Sequence, residues 1–164
     1  GAIDWAVGVL LERGVENVMV LHGDIPLVRS RDIQRLLLAH FNESSARRQI
    51  TIVSDRRGQG SNCLICTPPD IVPFAYGEKS YSKHLEAARE SEAAVKTMES
   101  RSLALDIDEP EDLFALADLM SSDSYYERRE TWGVLRDLGF FSCLLESSPQ
   151  ESCHSQAPKE SFTQ

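Results

Sequence analysis

Val18-Met19-Val20-Leu21-His22-Gly23-Asp24-Ile25-Pro26 is the stretch on which the fold turns. Four consecutive apolar residues, without polar alternation, predict a strand covered on both faces, as in the middle of a parallel sheet. The strand runs into a polar turn. Asp24 stands there with no helix of its own to cap, because the next helical pattern begins only near Ser30. Before the strand, Ile3, Ala6, Val7, Leu10 and Leu11 follow helical spacing up to Arg13-Gly14, a glycine stop. That pattern is already under way at Gly1, so we expect polypeptide to precede it.

After the turn, Ser30 caps a helix whose inward face is marked by Ile33, Leu36, Leu37 and His40. Ile50 to Val53 and Cys63 to Cys66 read as strands separated by the polar loop Ser54 to Asn62, and Pro68-Pro69 closes the second. Ser80 caps a helix from Tyr81 to about Glu90. Arg101 to Ile107 reads as a further apolar strand, delivering Asp106 and Asp108 to its end. Pro110 opens the last clear helix, with Leu113, Leu116, Ala117 and Met120 as its stripe and Asp108 and Glu111 spaced as a capping box. Alternating strands and helices imply an α/β fold of layered, mostly parallel architecture.

Residues 1–120 hold this pattern and form a partial domain. Residues 121–146 carry a short amphipathic extension around Trp132, Leu135, Leu138 and Phe141, suited to docking on the body or swapping onto another chain, which keeps a homodimer open. From Ser147 to Gln164 no core-forming pattern exists, and disorder is expected. Across the 164 residues, 17 basic against 26 acidic side chains give a net charge of -9, which repels a nucleic-acid backbone. No apolar run reaches membrane-spanning length, so a soluble cytoplasmic protein is expected. Of the cysteines, Cys63, Cys66, Cys143 and Cys153, the first two form a Cys-x-x-Cys. On a strand, positions three apart face opposite sides, and no second pair matches, so neither zinc nor redox chemistry is assigned.

Ligands in open α/β sheets bind beyond the carboxyl ends of the strands, where this sequence gathers its polar clusters. Asp24, Asp106 and Asp108 are hard oxygen donors suited to Mg2+. Asp108 has a second reading as a helix cap. Gly58-Gln59-Gly60-Ser61-Asn62 is either an ordinary turn or a loop whose amides and Ser61 hydroxyl meet an anion. Gly77-Glu78-Lys79-Ser80 repeats the device at a helix N-terminus, with Lys79 adding a point charge for phosphate. His84 either faces a ligand or is a solvent-facing or core-edge histidine, His22 precedes Asp24, and Arg56 and Arg57 either clamp phosphates or solvate a loop.

Taken in order, Val20 to Leu27, Ser54 to Asn62, Tyr76 to Tyr81 with His84, and Leu105 to Leu113 resemble one family over roughly Gly1 to Met120. These motifs are similar to those of the phospholactate, phosphoenolpyruvate or phosphoglycerate guanylyltransferases of coenzyme F(420) biosynthesis. The resemblance implies a three-layer α/β/α, Rossmann-like nucleotidyltransferase fold like that of the molybdenum-cofactor nucleotidyltransferases. It implies a reaction of GTP with a small phosphorylated acid, a pocket for the acid at Ser61, Gly77 and Ser80 with Asn62 and Lys79 beside them, and a magnesium site at Asp24, Asp106 and Asp108. Ser61 stands where the family usually has threonine, and Lys79 where it often has a small residue. The family's glycine- and basic-rich loop for the GTP phosphates has no counterpart in these residues. Two rivals are another enzyme of the same fold acting on a sugar phosphate or the molybdenum cofactor, and a non-catalytic interaction module docking through Trp132 to Leu145.

Overall fold

A computed structural model describes residues 1–42 and 46–141. The tail expected from Ser147 onward, the last residues of the 121–146 extension, Cys143 and Cys153 lie outside the described residues. Four strands, β1 (Val18–Leu21), β2 (Gln49–Ser54), β3 (Ser61–Thr67) and β4 (Ala94–Thr97), form one sheet in the order β1-β3-β2-β4. β3 is antiparallel to both β1 and β2, whereas β2 and β4 are parallel. β1, β2 and β4 therefore share a direction, but the mostly parallel sheet expected from sequence needs correcting: β2 and β3 form a hairpin. The 55–60 loop is too short for a crossover helix, so the chain can only turn back on itself.

Asp55 builds that turn. Its amide donates to the Gly60 carbonyl at 3.0 Å, and its carboxylate accepts from the amides of Gln59 and Gly60, each at 2.8 Å. Gly58 closes the turn at φ +69°, a left-handed conformation that glycine takes without a Cβ penalty.

Helices cover both faces. α3 (Ser80–Glu90) packs over Ile50, Ile52, Leu64, Cys66, Ile71 and Val72 through Ala88. On the other face α2 (Ser30–Asn42) and the single turn α4 (Arg101–Ala104) set Leu36 and Leu103 against Val53, Cys63 and Ile65. The architecture is thus α/β in three layers. Cys63 and Cys66 sit on opposite faces, as their spacing requires, and burial pushes each thiol up to about 12, leaving both as inert core residues.

Several local expectations differ from the structure. Of the expected inward face of α2, Leu36 and His40 are buried and Ile33 is half-buried, but Leu37 is 37% exposed and Asp32 joins the buried side instead. Two polar members fit because each is satisfied: Asp32 accepts from the Arg29 amide at 3.0 Å, and His40 bridges the Thr51 and Thr67 hydroxyls at 2.8 Å each. Ser30 and Ser80 are the first residues of their helices, not caps. The strand expected over 101–107 is instead α4 followed by an unpaired extended segment, because the Ser100 hydroxyl accepts from the Leu103 amide and starts a helical turn. β4 was not foreseen: Ala-Val-Lys-Thr is a mostly exposed edge strand with no apolar pattern. α1 (Ala2–Glu12) buries only Val7, leaving Trp5 74% exposed, and β1, half-buried throughout, is paired on one side only among the described residues.

The chain after Ser122 returns to the body. α5 (Pro110–Ser121), the 3-10 turn Ser124–Arg128 and α6 (Glu130–Asp137) gather Leu116, Met120, Tyr126 and Leu135 around Leu27 and Leu105. Buried Arg29 is the polar tie. Its Nε donates to the Tyr126 hydroxyl at 3.0 Å, a terminal nitrogen donates to Asp123 at 2.6 Å, and its guanidinium stacks 4.1 and 4.2 Å from the Tyr125 and Tyr126 rings. We predict that Arg29→Ala lowers stability by about 2 kcal/mol, from one charge-assisted hydrogen bond and the ring contacts. Hydrogen exchange should accelerate over residues 123–129; unchanged protection there would refute this anchoring role.

Candidate active site

The ends of β1 and β2 and the start of antiparallel β3 meet at one edge of the sheet, and the polar residues singled out in the sequence collect there. His22 leaves β1 with its amide bonded to the Asn62 carbonyl at 3.1 Å, which holds the turn that exposes Asp24. Asp106 is half-buried and Asp108 exposed at the head of α5. Repulsion from Asp106 first, then burial and the charge of Asp24, holds the Asp108 carboxyl above the usual carboxylate range. Asp24 and Asp106 are therefore both within electrostatic reach of Asp108. Among the described residues, though, no three His, Cys, Asp or Glu side chains are grouped tightly enough to hold a metal ion by themselves.

The two readings of Asp108 are separated by Asp112. The buried Asp112 carboxylate accepts from the Glu109 amide at 2.9 Å, the Asp108 amide at 3.2 Å and the Arg56 guanidinium at 2.7 Å. Burial alone would raise the Asp112 carboxyl, but the amides of Glu109 and Asp108 and the charge of Arg56 bring it below its ordinary value. The cap of α5 thus comes from Asp112 acting backwards, rather than from the expected Asp108 and Glu111. Asp108 keeps its carboxylate free of the helix. Arg57 is taken up by Glu109 at 2.6 Å. Both arginines therefore brace the hairpin loop against α5; they also line a small cleft with Asp55, Asp106, Asp108 and Asp112. A larger cleft of about 650 Å3 shares Arg56 and Arg57 and is walled by Val53, Met98, Leu105 and Leu119.

The other half of the site is a buried hydrogen-bonded floor with an exposed turn above it. Ser61, Asn62 and Ser80 are all buried. Asn62 donates to the Leu103 carbonyl at 3.0 Å, and the Ser61 amide donates to the Ser80 hydroxyl at 3.0 Å. The Gln59 and Gly60 amides are spent on Asp55, so the 58–62 loop is a closed turn and not an open cradle for an anion. At the start of α3, the Ser80 and Tyr81 amides are also engaged, with the Gly77 and Gln59 carbonyls. Gly77 at φ +100° and Lys79 at φ 55° are exposed above this floor, and among the described residues no ion pair or side-chain hydrogen bond holds the Lys79 ammonium back.

His84 is neither at the surface nor at the edge of the core. It is fully buried, with Nε2 3.0 Å from the Ala75 amide and Nδ1 2.9 Å from the Ser61 hydroxyl. The Ala75 amide can only donate, so Nε2 must be bare and the proton must sit on Nδ1, donating to Ser61. Sequence reasoning missed Asp55, Asp112 and the Ala75 amide. The acidic side chain three residues into α5 was a legible signal for Asp112; nothing in the sequence marks a backbone amide.

Comparison with known proteins gives the family of the chain. The family described as guanylyl transferase CofC like matches residues 2–153, past the four motifs and through the α6 region. The chain belongs to this family. A phosphoenolpyruvate guanylyltransferase of Conexibacter woesei is 37% identical over 139 residues, covering 85% of this chain and 58% of that protein. A 3-phospho-D-glycerate guanylyltransferase of Colwellia psychrerythraea is 31% identical over 74% of this chain and 55% of its own length. A 2-phospho-L-lactate guanylyltransferase of Haloarcula marismortui is 36% identical over 57% of this chain and 41% of its own. The chain thus spans about half the length of these CofC-like relatives. A crystal structure from Desulfovibrio desulfuricans, described as a nucleotide-diphospho-sugar transferase, superposes with a TM-score of 0.63 at 19% identity, covering 85% of this chain and 59% of that one; it shares the fold. Among the described residues no helix is long and apolar enough to cross a membrane.

Burial, then the charges of Lys83 and His22, lowers His84 to about 4, and burial with Lys96 lowers His40. An unfolded histidine titrates near 6.5, so between pH 6.5 and 4 the unfolded chain takes up protons that the folded chain refuses. Stability is then full above pH 6.5 and lost as pH falls, by up to about 1.4 kcal/mol per pH unit for His84, with His40 acting in the same direction. We expect the urea midpoint to drop between pH 7.5 and 5; a flat or rising midpoint would contradict the buried neutral state of these rings.

Proposed function

We propose that the full-length protein is a guanylyltransferase that transfers GMP from GTP to a phosphorylated three-carbon acid and releases pyrophosphate, in coenzyme F(420) biosynthesis. Phosphoenolpyruvate, 2-phospho-L-lactate and 3-phospho-D-glycerate are the candidate acids. The observation that carries the reading is the pairing, at one sheet edge, of the Asp24, Asp106 and Asp108 carboxylates with the exposed Gly77 to Lys79 turn, in a chain of the CofC-like family.

In this reading an oxygen of the acid's phosphate attacks the α-phosphorus of GTP. A new P–O bond forms as the bond to the pyrophosphate leaving group breaks, and no enzyme-bound intermediate is needed. Lys79 and the Gly77 backbone meet the acid at the surface, while Ser61, Asn62 and Ser80 shape the floor beneath them. The donor chemistry at the other half fits magnesium: oxygen ligands only, mutually repelling, with Arg56 and Arg57 already committed to Asp112 and Glu109. Magnesium completes its shell with water and phosphate oxygens beyond those of protein carboxylates. Asp24, Asp106 and Asp108 would hold it, and it would supply neutralisation of phosphate charge.

The test is pyrophosphate release by the full-length protein with GTP, magnesium and each acid in turn. We expect release that depends on one of the acids and falls about a hundredfold or more in Asp24→Ala. Release with a sugar phosphate and with none of the acids would replace this reading by the other enzyme of the same fold.

A further inference from the structure

We infer that His84 is a positioning residue: it holds the turn bearing Gly77, and with it the acid's side of the site, through the bond from the Ala75 amide to Nε2. The inference rests on the guanylyltransferase reading and adds to it a residue that touches neither substrate nor metal.

The anchoring of the two partners of His84 is unequal. Ser61 is already fixed, being in β3, paired with Ser54 and bonded through its own amide to Ser80. The segment from Phe74 to Tyr76 belongs to no helix or strand, and the Ala75 amide meets only the imidazole. Breaking the Ser61 contact therefore leaves Ser61 in place, whereas breaking the Ala75 contact leaves that amide unpaired two residues before Gly77 at φ +100°, in a stretch otherwise held by the packing of Phe74 and Tyr76. The same ring touches the carboxylate half at second hand. His84 meets the Tyr76 ring edge-on at 5.0 Å, and Tyr76 in turn lies 5.0 Å from His22, two residues before Asp24. The buried imidazole is thus linked, through the Tyr76 ring, to both the exposed turn and the end of β1. Only its Nδ1–H tautomer can do so, since a proton on Nε2 would face the Ala75 N–H donor to donor.

Two amide substitutions separate the bonds. The amide of asparagine reaches the Nδ1 position and can still donate to Ser61, but leaves Ala75 unpaired; that of glutamine reaches the Nε2 position and can still accept from Ala75. In the full-length protein we expect His84→Asn to speed hydrogen exchange at the Ala75 to Gly77 amides about tenfold. It should also raise KM for the acid about tenfold, with kcat within about threefold of the parent. His84→Gln should stay within about threefold of the parent in both measurements. Equal behaviour of the two variants, or slow exchange at Ala75 in His84→Asn, overturns the inference. So does fast exchange with an unchanged KM. Absence of acid-dependent turnover in the parent instead overturns the reading of the site. Nitrogen NMR of the unsubstituted protein gives a readout that does not depend on any variant folding: a protonated Nδ1 and bare Nε2 from pH 8 to 5 are expected, and a proton on Nε2 overturns the assignment.

Discussion

Burying Ser61 and Asn62 at the head of the central strand is the constraint from which the rest of the site follows. A strand that is buried from Ser61 to Cys66 can begin with two polar residues only if each polar atom finds a partner inside the protein. The partners come from every neighbouring element: His84 and Ser80 from α3, the Leu103 carbonyl from α4, and the His22 amide from the end of β1. Because β3 runs antiparallel, its head lies at the carboxyl ends of β1 and β2, where the free carboxylates are. Satisfying two buried residues and assembling the site are one event in this fold.

Much of the framework was legible. Continuous apolar runs marked β1, β2 and β3, and helical spacing marked α1, α2, α3 and α5. What failed did so where a side chain outside the pattern decides the backbone. Ser100 turned an apolar run into α4, and Asp55 folded the 55–60 loop back into a hairpin, which reverses β3. Exposure also hides β4, whose residues need no apolar pattern at the sheet edge.

For the site, motif order pointed to one end of the sheet but not to a division of labour there. Residue type alone gives Ser61, Asn62, Ser80 and Lys79 the same standing; burial separates a paired floor from Lys79 above it. Likewise an aspartate before Pro110 reads equally well as cap or ligand until Asp112 is seen to take the Asp108 and Glu109 amides. A floor whose polar atoms are already paired within the protein has little left with which to distinguish one small acid from another. In the proposed reading, discrimination then falls to the exposed groups around Gly77 and Lys79.

The two margins of the sheet are unlike. β4 carries Lys96 in the middle of its short run, and its ammonium reaches the Ala39 carbonyl at 2.8 Å, so that margin is blunted by a charge. β1 is Val-Met-Val-Leu without a charge or proline, and Trp5 on α1 is exposed as well. Among the described residues one side of β1 is thus a row of unspent backbone donors and acceptors flanked by apolar side chains, a place where a further strand can pair.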